Sequence, residues 1–116
     1  PRELEVLGDG TQTRSYIYID DAVEATMLAW KKANNALEVF NVASEDWITV
    51  DEVAKIVIET MGLKDVKIIH KPVAHGVGWL GDVKKIALKI ERLKALGFKP
   101  KLNSAEAIKE TVLSMI

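Results

Sequence analysis

Residues 8–21, Gly8-Asp9-Gly10-Thr11-Gln12-Thr13-Arg14-Ser15-Tyr16-Ile17-Tyr18-Ile19-Asp20-Asp21, read as a glycine-rich turn, a short strand and a helix start. Gly8 and Gly10 flank Asp9, a turn former, so the chain can reverse there. Tyr16 to Ile19 are aromatic and β-branched, the types that suit a pleated surface. Side chains alternate along a strand, so Arg14, Tyr16, Tyr18 and Asp20 are expected on one face, with Ile17 and Ile19 on the other. The apolar face can enter a core. The other offers a guanidinium, two phenols and a carboxylate. Arg14 suits two roles at this place: a bidentate grip on a phosphate, or a surface ion pair.

Outward from this stretch the chain alternates helices and short strands. Residues 1–7 are an extended approach to the turn. Asp20 or Asp21 caps a helix of about 13 residues, Asp being a favoured N-cap. Val23, Met27 and Trp30 form its apolar stripe, which places Trp30 in the core. Glu38 to Ala43 is expected as a strand, with Asn41 bonding backbone nearby. Thr49 and Glu52 fit a capping box that opens a second helix, with Val53, Ile56, Val57 and Thr60 inward and Gly62 as its stop. Val66 to His70 is a third strand, ended by Pro72. A short helix runs from Ile90 to Leu96. Asn103 or Ser104 caps the last helix, with Ala105, Ile108, Val112 and Met115 on one face. The pattern predicts an α/β fold of short strands with three longer helices and one short helix.

Composition bounds the partners. The chain has 116 residues, one domain's worth, and 16 basic against 17 acidic residues give a net charge of -1. That balance argues against nucleic acid as a partner. No apolar run is long enough for a membrane helix, so a cytoplasmic protein is expected. There is no cysteine, which excludes disulfides and thiol catalysis. His70 and His75 are the two histidines, too few ligands for a metal site, and none is expected.

Gly76-Val77-Gly78-Trp79-Leu80-Gly81 matches a dinucleotide-binding pattern by letter. That mechanism needs the first glycine directly after a strand and the last opening a helix. Five residues separate His70 from Gly76, and no amphipathic helix begins at Gly81, so the match is set aside.

Residues 8–25, GDGTQTRSYIYIDDAVEA, resemble the segment that opens the C-terminal domain of extended short-chain dehydrogenases/reductases, the NAD-dependent nucleotide-sugar epimerases and dehydratases typified by UDP-glucose 4-epimerase. The resemblance continues through FNVASEDWITVDEVAKIV, Gly81-Asp82-Val83, LKALGFKP and the last helix. It implies that residues 1–116 are a C-terminal substrate-binding domain, a fragment of a longer enzyme whose Rossmann domain precedes it and binds NAD. It implies a nucleotide-sugar substrate carrying UDP or dTDP. Arg14 is then the candidate for phosphate and Asp82 for a ribose hydroxyl, with Tyr16 and Trp79 lining the pocket. The family's loop arginine is absent, and Val77 or Trp79 stands in its place. Neither tyrosine matches the family's catalytic Tyr-x-x-x-Lys motif, for Tyr16 is followed four residues on by Asp20 and Tyr18 by Ala22. No catalytic residue, and no cofactor site, is therefore expected on this chain, and by itself it should not turn over. The alternative is a non-enzymatic interaction domain or residual domain that has lost nucleotide binding and self-associates through an exposed interdomain face.

Overall fold

A computed structural model describes residues 2–34, 37–71 and 88–116. In chain order the elements are β1 (Glu3–Leu7), β2 (Thr13–Arg14), α1 (Ile19–Lys32), β3 (Ile48–Thr49), α2 (Val50–Thr60), β4 (Lys67–Lys71), α3 (Glu91–Ala95) and α4 (Ser104–Met115). β1 pairs with β4 in parallel, Glu3 opposite Lys67 through Leu7 opposite Lys71. β2 pairs with β3 antiparallel, Thr13 opposite Thr49 and Arg14 opposite Ile48. This is the α/β arrangement expected, with one helix short and three longer.

The glycine-rich turn works as the cap of α2. The carbonyls of Gly10 and Gln12 accept from the amides of Asp51 and Val50, both at 3.0 Å. These are first-turn amides that the helix itself leaves unpaired. Buried Gln12 holds the turn in shape: its amide oxygen accepts from Gly10 N–H at 3.0 Å and its amide nitrogen donates to the Leu7 carbonyl at 3.1 Å. The Thr49–Glu52 capping box is present as expected, and Asn103 forms a second one with Glu106 at the start of α4.

Several expectations fail for identifiable reasons. The strand stops at Arg14 rather than running to Ile19, because helical geometry starts at Ile19 and the Tyr16 amide is taken by a side chain, the Ser104 hydroxyl, at 2.9 Å. The period therefore changes from 2 to 3.6 at Ile19. Ile17 packs on the core, while Ile19 is 64% exposed. Tyr18 is the N-cap of α1, and its side chain makes no cap bond. Asp21 is instead buried, its two carboxylate oxygens accepting from the amides of Lys101 and Leu102 at 3.1 Å each. Glu38 to Ala43 forms no strand. Its carbonyl at Val39 accepts from Arg92, and Asn41 donates to the carbonyl of Lys89, so side chains replace a ladder.

The core is small. Ala25, Ala43, Ile90, Leu93 and Phe98 are buried together, with Ile17, Leu28, Ala29, Phe40, Val42 and Leu96 packed around them. α1 thus turns Ala25, Leu28 and Ala29 inward, and the expected apolar stripe faces solvent, with Trp30 75% exposed. Met115 of α4 is exposed too; buried Ser104 and Ala107 lie on the face that α4 turns inward. The radius of gyration is 16.8 Å, against about 13 Å for a compact domain of this length.

Gly10 has φ +81°, and a Cβ there would collide with the Asp51 carboxylate, which is itself held at 2.7 Å by His70 Nε2. Gly97 has a comparable φ of +99° but open space around it. Both Gly10→Ala and Gly97→Ala should lower stability through the left-handed backbone, by about 1–2 kcal/mol. Gly10→Ala should lower it further, because Asp51 must also leave His70. Urea midpoints of the two variants check this; equal losses would show that Asp51 moves freely.

Candidate functional site

Arg14 ends β2, where pairing with Ile48 fixes its backbone. Its side chain is half-buried and Nη1 donates to the Thr13 carbonyl at 2.8 Å. Beside it lies a cleft of about 200 Å³ lined by Arg14, Ser15, Ile17, Val42, Ala43, Ser44 and Leu88. The lining is mixed: one guanidinium, two serines and an apolar wall. Such a surface can offer a charged donor to an anionic oxygen while an adjoining apolar group packs on the wall.

The floor of this region is tied by a hydroxyl–carboxylate knot. The Ser15 hydroxyl donates to the Ser44 carbonyl. The Ser44 hydroxyl donates to Asp46 Oδ1 at 2.8 Å. Asp46 also accepts from the Ser104 hydroxyl at 2.7 Å and from the Ser104 amide at 3.0 Å. Burial pushes the Asp46 carboxyl up, but the Ser104 hydroxyl, the Ser104 amide and the Ser44 hydroxyl together outweigh it and hold the group below the usual carboxylate value. On the outside, Lys94 pairs with Glu45 at 2.8 Å, and that carboxylate raises the lysine's pKa.

The four residues expected at a site are only partly placed. Arg14 lines the cleft. Tyr16 is half-buried nearby, with its backbone held by Ser104, and is not among the described lining residues. Asp82 and Trp79 lie outside the described residues, as does the whole loop from Gly76 to Val83. Ser15, Ser44 and Leu88 line the cleft without having been singled out in the sequence. They come from three separate segments, and no local pattern marks them. His70 is bonded to Asp51, and His75 lies outside the described residues. Among the described residues no group of three or more His, Cys, Asp or Glu is placed to hold a metal ion. No described helix is long and apolar enough to cross a membrane.

Comparison with known proteins fits this geometry into a family. Residues 1–43 match the family model described as the NAD dependent epimerase/dehydratase family. Over 95% of its length the chain is 34% identical to the UDP-N-acetyl-alpha-D-glucosaminuronate decarboxylase of Bacillus cytotoxicus, of which it covers 34%. Over 96% of its length it is 30% identical to the UDP-glucose 4-epimerase of Mycolicibacterium smegmatis, again covering 34%. The crystal structure of Thermotoga maritima UDP-glucose 4-epimerase with UDP-glucose superposes on 97% of the chain with a TM-score of 0.81 and 35% identity, the chain covering 34% of it. The chain belongs to the NAD dependent epimerase/dehydratase family, as the sequence resemblance implied. It spans about a third of the length of the curated relatives it matches.

Asp46 gives a pH test. Its folded pKa is depressed, so the stability it contributes is present at neutral pH and is lost as pH falls below the unfolded carboxylate value of about 4, towards the folded value. Asp46→Asn should cost about 1–3 kcal/mol at neutral pH, the range for breaking a charge-assisted contact to buried donors. The difference between wild type and variant in urea unfolding should narrow as the buffer is taken below about pH 4. A pH-independent difference would remove the ionised carboxylate from the account.

Proposed function

We propose that this chain is the nucleotide-sugar-binding portion of an NAD-dependent epimerase or dehydratase acting in the cytoplasm on a UDP- or dTDP-sugar. The observation that carries the reading is the match over more than nine-tenths of the chain to enzymes named for UDP-sugars. In this reading residues 1–116 form a C-terminal domain, and a Rossmann domain elsewhere in the protein binds NAD. The Rossmann domain would take a hydride from the sugar, while this domain closes over the nucleotide diphosphate. Binding energy from the non-reacting nucleotide then orients the sugar carbon that reacts. Alone, this part binds without turnover.

Arg14 is proposed for the phosphate, which suits a guanidinium at the mouth of a mixed cleft. Asp82 is proposed for a ribose hydroxyl, since a carboxylate accepts from two hydroxyls at once. Tyr16 and Trp79 are proposed to line the pocket. The extended shape and small core support a domain that is built against a neighbour.

An amide NMR titration of the chain with UDP, and separately with NAD, tests this. Shifts around Arg14, Ser15 and Ser44 with UDP, and none with NAD, are expected. Arg14→Ala should weaken UDP binding by at most about 3 kcal/mol, the range for a charge-assisted contact. An unchanged dissociation constant would remove Arg14 from the site. Absence of any shift with UDP, in this chain and in a protein that carries the Rossmann domain, would favour an interaction domain without nucleotide binding.

A further inference from the structure

Among the residues that line the cleft, Arg14 is the side chain with protons to give an incoming anion. The Ser15 hydroxyl donates to the Ser44 carbonyl, and the Ser44 hydroxyl donates to Asp46 Oδ1 at 2.8 Å, so both serine protons are spent inside the protein. The side chains of Ile17, Val42, Ala43 and Leu88 carry no donor. A guanidinium has five N–H donors, and one of those on Nη1 goes to the Thr13 carbonyl at 2.8 Å. Anion binding at this cleft therefore depends on where the Arg14 guanidinium is held.

Arg14 is held from both sides by ties that meet at one carboxylate. Its own backbone lies opposite Ile48 in a ladder of two residue pairs, too short to be stable by itself. Beyond it, Ser15 is bonded to the Ser44 carbonyl, and the Tyr16 amide donates to Ser104 Oγ at 2.9 Å. Ser44 lies two residues before Asp46 and Ile48 two residues after it. Asp46 accepts from the Ser44 hydroxyl, from the Ser104 hydroxyl at 2.7 Å and from the Ser104 amide at 3.0 Å. Each anchor of residues 14–16 is thus on the segment that carries Asp46 or on a residue that Asp46 binds. Burial raises the Asp46 carboxyl, but these donors outweigh it, so the group is ionised at neutral pH. The single proton of the Ser104 hydroxyl then goes to the carboxylate, which leaves the oxygen to accept the Tyr16 amide.

We infer that Asp46 is a positioning residue for Arg14: by holding Ser44 and Ser104 it sets the backbone from which the guanidinium reaches an anionic oxygen. This rests on the proposal that Arg14 meets the substrate phosphate. Asp46 itself is not among the described lining residues. The sign of its effect separates positioning from plain electrostatics. A carboxylate near an anion site repels the anion, so neutralising it should tighten binding through space. Losing a positioning contact should weaken it. Asp46→Asn keeps the size of the side chain, but it sets an NH2 group where a serine donor now finds an oxygen, so at least one tie breaks.

The probe is UDP, titrated by calorimetry at neutral pH into this chain and into a protein that carries the Rossmann domain. Asp46→Asn should weaken binding roughly 2- to 30-fold with the circular dichroism unchanged. In an Arg14→Ala background the same substitution should change the dissociation constant by less than about twofold, because the residue it acts through is gone. A purely structural role would cost as much in both backgrounds. Without ligand, the NMR resonance of the Arg14 Nε–H should move in Asp46→Asn. Should Asp46→Asn fail to fold, Ser44→Ala removes one donor, keeps the Ser44 carbonyl, and should act in the same direction by a smaller factor. Unchanged or tighter UDP binding in the folded variant, an equal loss in both backgrounds, or an unmoved Arg14 resonance would overturn the inference and leave Arg14 at the site. Unchanged UDP binding in Arg14→Ala itself would overturn the functional reading and this inference with it.

Discussion

Ser104 is fully buried, and its hydroxyl and amide tie three segments that are far apart in sequence. The amide and hydroxyl both reach the Asp46 carboxylate, and the hydroxyl oxygen accepts the Tyr16 amide. The half-buried Asp46 carboxylate loses part of its hydration, and the donors of Ser44 and Ser104 replace it with charge-assisted hydrogen bonds. This fixes where α4 begins, where the loop before β3 lies, and how residues 15–18 cross between them. The cleft beside Arg14 inherits its floor from the same knot, since Ser15 and Ser44 are both in it. Asp21 repeats the device on the other side, binding the two amides that lead into α4. With a small apolar core, these two carboxylates do much of the work of setting the helices.

That division explains which features the sequence discloses. The two capping boxes lie within three residues of themselves, so Thr49 with Glu52 can be read directly, and Asn103 with Glu106 follows the same rule. The Asp46–Ser104 and Asp21–Leu102 contacts join positions 58 and 81 residues apart, and nothing local marks them. Asp21 looks like an N-cap because aspartate is a good one, and tertiary structure took it for another purpose. Glu38 to Ala43 has the composition of a strand, but strand composition does not supply a neighbour; Arg92 bonds its Val39 carbonyl, and its own Asn41 side chain bonds the Lys89 carbonyl instead. Family membership was legible because it rests on the order of several motifs. The site was only half legible: Arg14 stands beside a cleft, while four of its other lining residues, Val42, Ala43, Ser44 and Leu88, come from distant segments.

The most informative error concerns α1. Its periodicity is correct and its orientation is reversed, for Val23, Met27 and Trp30 face out while Ala25, Leu28 and Ala29 face in. Hydrophobic periodicity identifies a helix with an apolar side. It does not say whether that side meets the chain's own core or another surface. In this helix the small residues face the core, which suits a core built of Ala25, Ala43 and a few larger chains. The larger side chains are displayed. A solvated row of Ile, Val, Met and Trp would be a liability on a free-standing domain. It is intelligible on one whose radius of gyration exceeds that of a compact chain of the same length. The inverted helix and the extended shape therefore have one physical reading. Folding buries the polar knots and part of the apolar surface, and leaves the larger side chains of α1 in solvent.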